Sequence, residues 1–322
     1  MRFWLLGLAV VLAAHFVAAA AASLLVAWAH RRACSRLAPL APGARATRLL
    51  ALALFPAAAG LATAGVAAVA WLIHEPRSTA ATPGPVLLAL ALLGLAVAAL
   101  RAGSAVLEGV HTRRVVARFR RNGREMDGLP LPASRADHAF PVAALVGVWR
   151  PRLLLAEQVL GVLNPEELDA VLAHELAHLD ARDNLKRLLL VASPEPLALT
   201  SGGRRLRSEF LEAAEAAADA RACRRVAPTV LARAIVKVAG LVPARGRLDL
   251  AMASFHQDGS LASRVRALVD GPVGAREAAS APRGHLAIGM VLAVALAFAL
   301  ASSGAALATL HGALERLVHL LA

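Results

Sequence analysis

Four long apolar stretches set the first limit on how this chain can fold. Phe3–Ala29 carries no charge and a single histidine, His15; Leu49–Ile73 is uncharged; Val86–Leu107 is broken only by Arg101; Leu286–Leu310 is again uncharged. A helix of about 20 apolar residues crosses the hydrocarbon core of a bilayer with its backbone groups paired internally. Each stretch meets that length. The hydrophobic fraction is 58%, above the roughly half found in soluble domains, and the excess lies in these runs. The expected fold is a polytopic α-helical membrane protein of four transmembrane helices. Residues 1–110 hold three of them (about 3–29, 49–73 and 86–107), residues 111–285 form a separate domain, and 286–322 supply the fourth with a short tail.

Arginine distribution orients the spans. The segment "HRRACSRLAPLAPGARATR" after the first run holds five arginines and no acid, and "HTRRVVARFRRNGR" after the third holds six. Basic flanks of this kind stay on the cytoplasmic side. The near-neutral loop His74–Pro85 then faces out, the 111–285 segment faces the cytoplasm, and both termini lie outside. The first run is long for a cleaved signal peptide and carries a cytoplasmic-type flank, so a retained helix is expected. Arg101 sits toward the inner end of its run, from where it is expected to snorkel to the interface. The expected location is a bacterial inner membrane, with the lipid bilayer as the first partner.

The formal charge of +13 comes almost wholly from arginine, since Lys186 and Lys237 are the only lysines. Much of it lies in the membrane flanks, where anionic headgroups attract it. The chain has no tyrosine and no basic patch interleaved with aromatics, so direct nucleic-acid binding is not expected. Two cysteines separated by the topology, Cys34 and Cys223, make neither a disulfide framework nor a thiolate metal site.

Within 111–285 the third helix is expected to run on to about 127. A proline-punctuated stretch and two short strands follow, near Ala143–Val148 and Arg152–Leu155, around a turn at Trp149–Pro151. The next element announces its own start. Asn164 can cap a helix, Pro165 suits its first position, and Glu166 and Glu167 favour the positive end of its dipole. Leu168, Val171, Leu172, Leu176 and Leu179 recur at helical spacing.

That helix carries "NPEELDAVLAHELAHLDARDN". His174 and His178, four residues apart, lie on one face and can take one cation together. Glu175 is rotated about 100° from His174, close enough to act on a water beside that cation without ligating it. Zinc suits two imidazoles and a carboxylate with one position left open, and lowers the pKa of water to about 7. Glu175 can then accept that water's proton and return it to a leaving amine.

A third ligand is sought in "EFLEAAEAAADARACRR". Six alanines between 213 and 220 let two helices approach closely. Glu215 is flanked by small residues, and Asp219, one turn on, could hydrogen-bond a ligand histidine. Glu212 remains an alternative to Glu215. Asp183, just after the motif helix, could orient a histidine or cap a turn. His256, in "ASFHQDGS", is a candidate to hold a transition-state oxyanion. The strand edge near Arg150 and Arg152 could take an extended peptide by strand addition. "LLLVASPEPLALT" is apolar but too short to span, and reads as core or as a dip into the membrane surface.

The pairing of "HELAH" with "EAAAD" resembles integral-membrane zinc endopeptidases of two groups: the HtpX and CAAX-prenyl endopeptidases, and the BlaR/MecR antibiotic sensor–transducers. "GVWRPRLLLAEQVLGVLNPEELDAVLAHELAHLDARDNLKRLL", "SLASRVRALVDGP" and three spans before the domain with one after look like the second group. The resemblance, over roughly 84–310, implies a zincin-like α+β domain, mostly helical with a small sheet. It implies one zinc ion on His174, His178 and Glu215, with Glu175 as catalytic base. It further implies regulated signalling proteolysis, with a transcriptional repressor as protein substrate; HtpX-type quality control is the alternative. Only "HGALERLVHLLA" follows the fourth run, so the penicillin-binding sensor of that group is not expected here, and a separate sensor protein would have to supply the signal. A non-catalytic scaffold or receptor with an idle site is a third possibility, against which Glu175 argues, since an idle site has no use for it.

Overall fold

The computed structural model describes residues 2–37, 40–78, 82–138, 142–241, 258–270 and 312. The fourth apolar run and His256 lie outside them. Three long helices open the chain: α1 (Arg2–Leu37), α2 (Pro42–His74) and α3 (Pro85–Asn122). All three are long and apolar enough to cross a membrane. Proline at the start of α2 and of α3 supplies a preset φ where no donor is needed. α1 packs on both of the others through Phe3, Leu6, Val10 and Ala13 against Trp71, Leu87 and Ala91. Gly60 of α2 is required by this contact, because a Cβ there would lie 2.8 Å from the His15 ring.

α3 ends at Asn122, short of the expected 127, and the chain turns into a strand. The reason is Gly123, whose bare α-carbon lets the Arg135 carbonyl approach; a Cβ would sit 2.3 Å from that oxygen. Four strands follow in place of the two expected: β1 (Arg124–Met126), β2 (Ala133–Ala136), β3 (Ala143–Val146) and β4 (Arg152–Ala156). They form one sheet in the order β1-β2-β4-β3, with β2 and β4 parallel and the outer pairs antiparallel. β1 and β2 are too short and too polar to announce themselves as strands. β4 is central, and Leu153, Leu154, Leu155 and Ala156 are all buried, as expected of a strand covered on both faces. Phe119, at the end of α3, enters the same core.

Helices complete the structure: α4 (Glu157–Val162), α5 (Pro165–Ala181), α6 (Asp183–Ala192), α7 (Ser201–Ala222), α8 (Pro228–Gly240) and α9 (Asp258–Asp270). α5 begins with a full capping box: the Glu167 amide donates to Asn164 Oδ1 at 2.8 Å, and the Asn164 amide donates to Glu167 Oε2 at 3.0 Å. α7 lies against α2, with Leu206, Phe210, Ala213 and Ala214 packed on Ala46, Leu49 and Ala53.

Arg101 departs from the sequence expectation. Its side chain is buried against protein, donating to the carbonyls of Leu190 and Ser193 at the end of α6. The Leu190 carbonyl needs such a donor, because Pro194, four residues on, has no N–H to give it. Beside it, His15 Nε2 lies 2.8 Å from the Pro194 carbonyl. The proline-cut segment after α6 is thus lodged against the long helices, held by polar side chains of α1 and α3.

Candidate metal centre

α5 and α7 cross where the alanines of α7 leave room, and three side chains converge there. His174 Nε2 and His178 Nε2 are 3.2 Å apart. Glu215 Oε2 is 3.5 Å from His174 Nε2, and its Oε1 is 3.5 Å from His178 Nε2. All three residues are buried. Tetrahedral zinc at 2.0–2.1 Å from each ligand would separate its ligand atoms by about 3.3–3.4 Å. The three observed separations bracket that value, so the trio could hold such an ion with little movement. Two facing imidazole nitrogens also need a cation or a proton between them, since two lone pairs at that distance repel.

Each ring has a carboxylate on its far side, hydrogen-bonded to His178 and at ion-pair distance from His174. Asp183 Oδ2 lies 2.8 Å from His178 Nδ1, and Asp219 Oδ1 lies 2.9 Å from His174 Nδ1. With Nδ1 carrying the proton, each ring turns its Nε2 lone pair toward the centre. Asp183 reaches His178 because α5 ends at Arg182 in the left-handed conformation, φ 54° and ψ 40°. That turn starts α6 at once and folds its first residue back onto the preceding helix.

Glu175 is buried as well. Its Oε2 accepts from the Leu145 amide of β3 at 2.8 Å. β3 is the edge strand on this side of the sheet, and Leu145 turns both backbone groups away from β4. Its carbonyl and that of Gly147 accept from Asn184 Nδ2 at 3.0 and 2.9 Å. The edge nearest the metal centre is therefore already occupied by side chains of α5 and α6.

Glu212 is exposed and stays out of the cluster, and Arg152 is committed to Glu125 and Ser134 within the sheet. Two arginines that the sequence did not single out are part of the site. Arg187 Nη2 of α6 is 3.0 Å from Glu215 Oε1. Arg264 of α9 donates through Nε and Nη2 to the two oxygens of Asp219 at 2.7 and 2.8 Å, and its Nη1 lies 3.1 Å from Glu215 Oε2. Two buried carboxylates spaced one turn apart on α7 signal a need for cations, but nothing in the sequence says which arginines supply them.

These contacts govern protonation in the metal-free protein. Burial by itself would depress His178, but Glu215 and the Asp183 hydrogen bond outweigh it and raise the group to about 10. His174 moves up in the same way, against its burial, through Asp219 and Glu215. The two rings face each other, so the pair shares one tightly held proton rather than taking two. Burial would raise Glu215, yet His178, His174 and Arg264 hold it well below the ordinary carboxylate range.

Two imidazoles and a carboxylate around one point, with a further glutamate beside them on the same helix, form a site of the metallopeptidase type. Residues 133–245, which contain all four, match the family model described as Peptidase family M48. That match supports a metallopeptidase function for this region. No curated protein and no solved structure matches the chain.

Proposed function

We propose that this protein is a membrane-anchored zinc metalloendopeptidase, with His174, His178 and Glu215 as metal ligands and Glu175 as the general base. The observation that carries this reading is the 3.2–3.5 Å spacing of the three ligand groups, which suits a tetrahedral ion. Zinc held there would supply Lewis acidity toward water and a peptide carbonyl. The protein's own side chains do the rest. Asp183 and Asp219 hold the histidines in one tautomer, and Glu175 takes a proton from water and passes it to the leaving amine. A peptide is presented along β3, and as it takes over the Leu145 amide, Glu175 is freed to act.

The arginine-rich flanks support a cytoplasmic location for the catalytic domain, within residues 111–285. The role is regulated proteolysis of a protein substrate, a transcriptional repressor being the leading candidate, with a separate sensor protein giving the trigger. Turnover of membrane proteins is the second reading. It is favoured by the packing of Ala213 and Ala214, next to Glu215, on the Ala46–Ala53 end of α2, which sets the site close to where an apolar run begins. The test compares new protein N-termini in cells carrying wild type or Glu175→Gln at matched levels. Repressor fragments confined to wild type support signalling, and scattered membrane-protein fragments support turnover. Identical N-termini with and without envelope stress, in a protein holding no zinc, would refute the reading.

A further inference from the structure

Glu215 and Asp219 stand one turn apart on α7, and both are buried. Two like charges in that position need a counter-charge that touches both. Arg264 is the side chain that does so. It comes from α9, beyond the family-matched stretch 133–245, and α9 is otherwise seated through Leu268 on the α7–α8 cluster. The Arg264 side chain is only 10% exposed, so a long cationic chain has been brought almost fully out of water. Burying it this deeply is tolerable because each of its three nitrogens lies within 3.1 Å of a carboxylate oxygen.

Resting on the zinc reading above, we propose that Arg264 is a positioning residue of the metal centre, acting through Asp219 on His174 and directly on Glu215. Its Nε and Nη2 engage both Asp219 oxygens, which fixes the plane of that carboxylate. Oδ1 then stays 2.9 Å from His174 Nδ1, and the ring keeps its Nε2 lone pair toward the ion. The third nitrogen sits 3.1 Å from Glu215 Oε2. A carboxylate oxygen has two lone-pair directions, so one can face Arg264 while the other faces the ion. Arg187 does the same at Oε1. The planar fork is essential, because a lysine presents a point charge and cannot hold two carboxylates in register.

The test uses the full chain in lipid nanodiscs, with zinc affinity from chelator competition and site geometry from the absorption spectrum of the Co2+-loaded protein. Arg264→Gln is expected to weaken zinc binding by about 10- to 100-fold, as losses among groups that orient metal ligands do, and to alter the Co2+ spectrum. Asp219→Asn should weaken it too, and the double variant should lose clearly less than the sum of the two single losses, because one of the two routes of Arg264 runs through Asp219. Arg264→Lys should fall between wild type and Arg264→Gln. Thermal unfolding of each variant separates weak binding from misfolding. Wild-type affinity and spectrum in a folded Arg264→Gln, or additive losses in the double variant, would overturn the positioning role while leaving the zinc reading intact. Absence of zinc binding by wild type would instead overturn that reading, and this inference with it.

Discussion

Replacing Arg101 with methionine probes the joint between the three long helices and the catalytic region. The guanidinium donates to the Leu190 and Ser193 carbonyls in a buried setting. Ser193 keeps a second partner, the Glu195 amide at 2.9 Å, so its loss is partial. Leu190 does not have the usual helical alternative, since Pro194 has no N–H. An acceptor left unpaired in the interior costs about 1–3 kcal/mol. Methionine fills most of the arginine stem and relieves the cost of burying a charge, which offsets part of that loss. The net expectation is a destabilisation of about 1 kcal/mol, the lower end of that range, read by reversible unfolding in mixed micelles. A second consequence follows from α6, which begins at Asp183 on His178 and ends at the carbonyls Arg101 holds. Freed from Arg101, the helix should hold Asp183 less firmly, so zinc affinity should fall together with stability. Stability within about 0.5 kcal/mol of wild type, the range of ordinary surface substitutions, would show that the bonds carry no net free energy. Lost stability with unchanged zinc affinity would refute α6 as the mechanical link.

Three further outcomes are expected. Glu175→Gln should abolish peptide hydrolysis while leaving zinc content by elemental analysis at the wild-type level, since Glu175 is not among the converging ligands. Asn164→Ala removes the cap of α5 and should cost about 1 kcal/mol in the same unfolding assay without changing zinc affinity, the cap lying ten residues from His174. In metal-free protein, the proton held by the His174–His178 pair, with His178 raised to about 10, stabilises the fold. Because the folded pKa lies above the unfolded value of about 6.5, that stabilisation is complete below about pH 6.5 and is lost as pH rises toward 10. Zinc must displace this proton, so calorimetry at pH 7 in buffers of different ionisation enthalpy should record proton release on binding, and affinity should fall with falling pH.

Much of the metal centre was legible because its elements are local. The spacing of His174 and His178 and the capping signals at Asn164 and Glu167 each need only a few residues of one helix, and helical geometry does the rest. Glu215 and Asp219 could be nominated on the same grounds, though choosing Glu215 over Glu212 needed the crossing of two helices. Arg264 and Arg187 lie in the segments that carry the family resemblance, but thirty-five residues of this chain are lysine or arginine and nothing local says which of them reach a buried carboxylate. β1 and β2 were missed because Arg124–Met126 and Ala133–Ala136 carry charged and small residues in place of the apolar run that marks β3, which is no longer than β2.

The sequence by itself determined that this chain has helices long and apolar enough to cross a membrane and a helix built to present two histidines on one face, since both follow from composition and period along a single segment. Tertiary structure alone decided which carboxylate meets those histidines and which arginines neutralise it. It also turned Arg101 inward to a carbonyl that Pro194 leaves without a donor. Those outcomes depend on which surfaces of distant segments come together, and charge and hydrogen-bond balance in a buried site is settled only there.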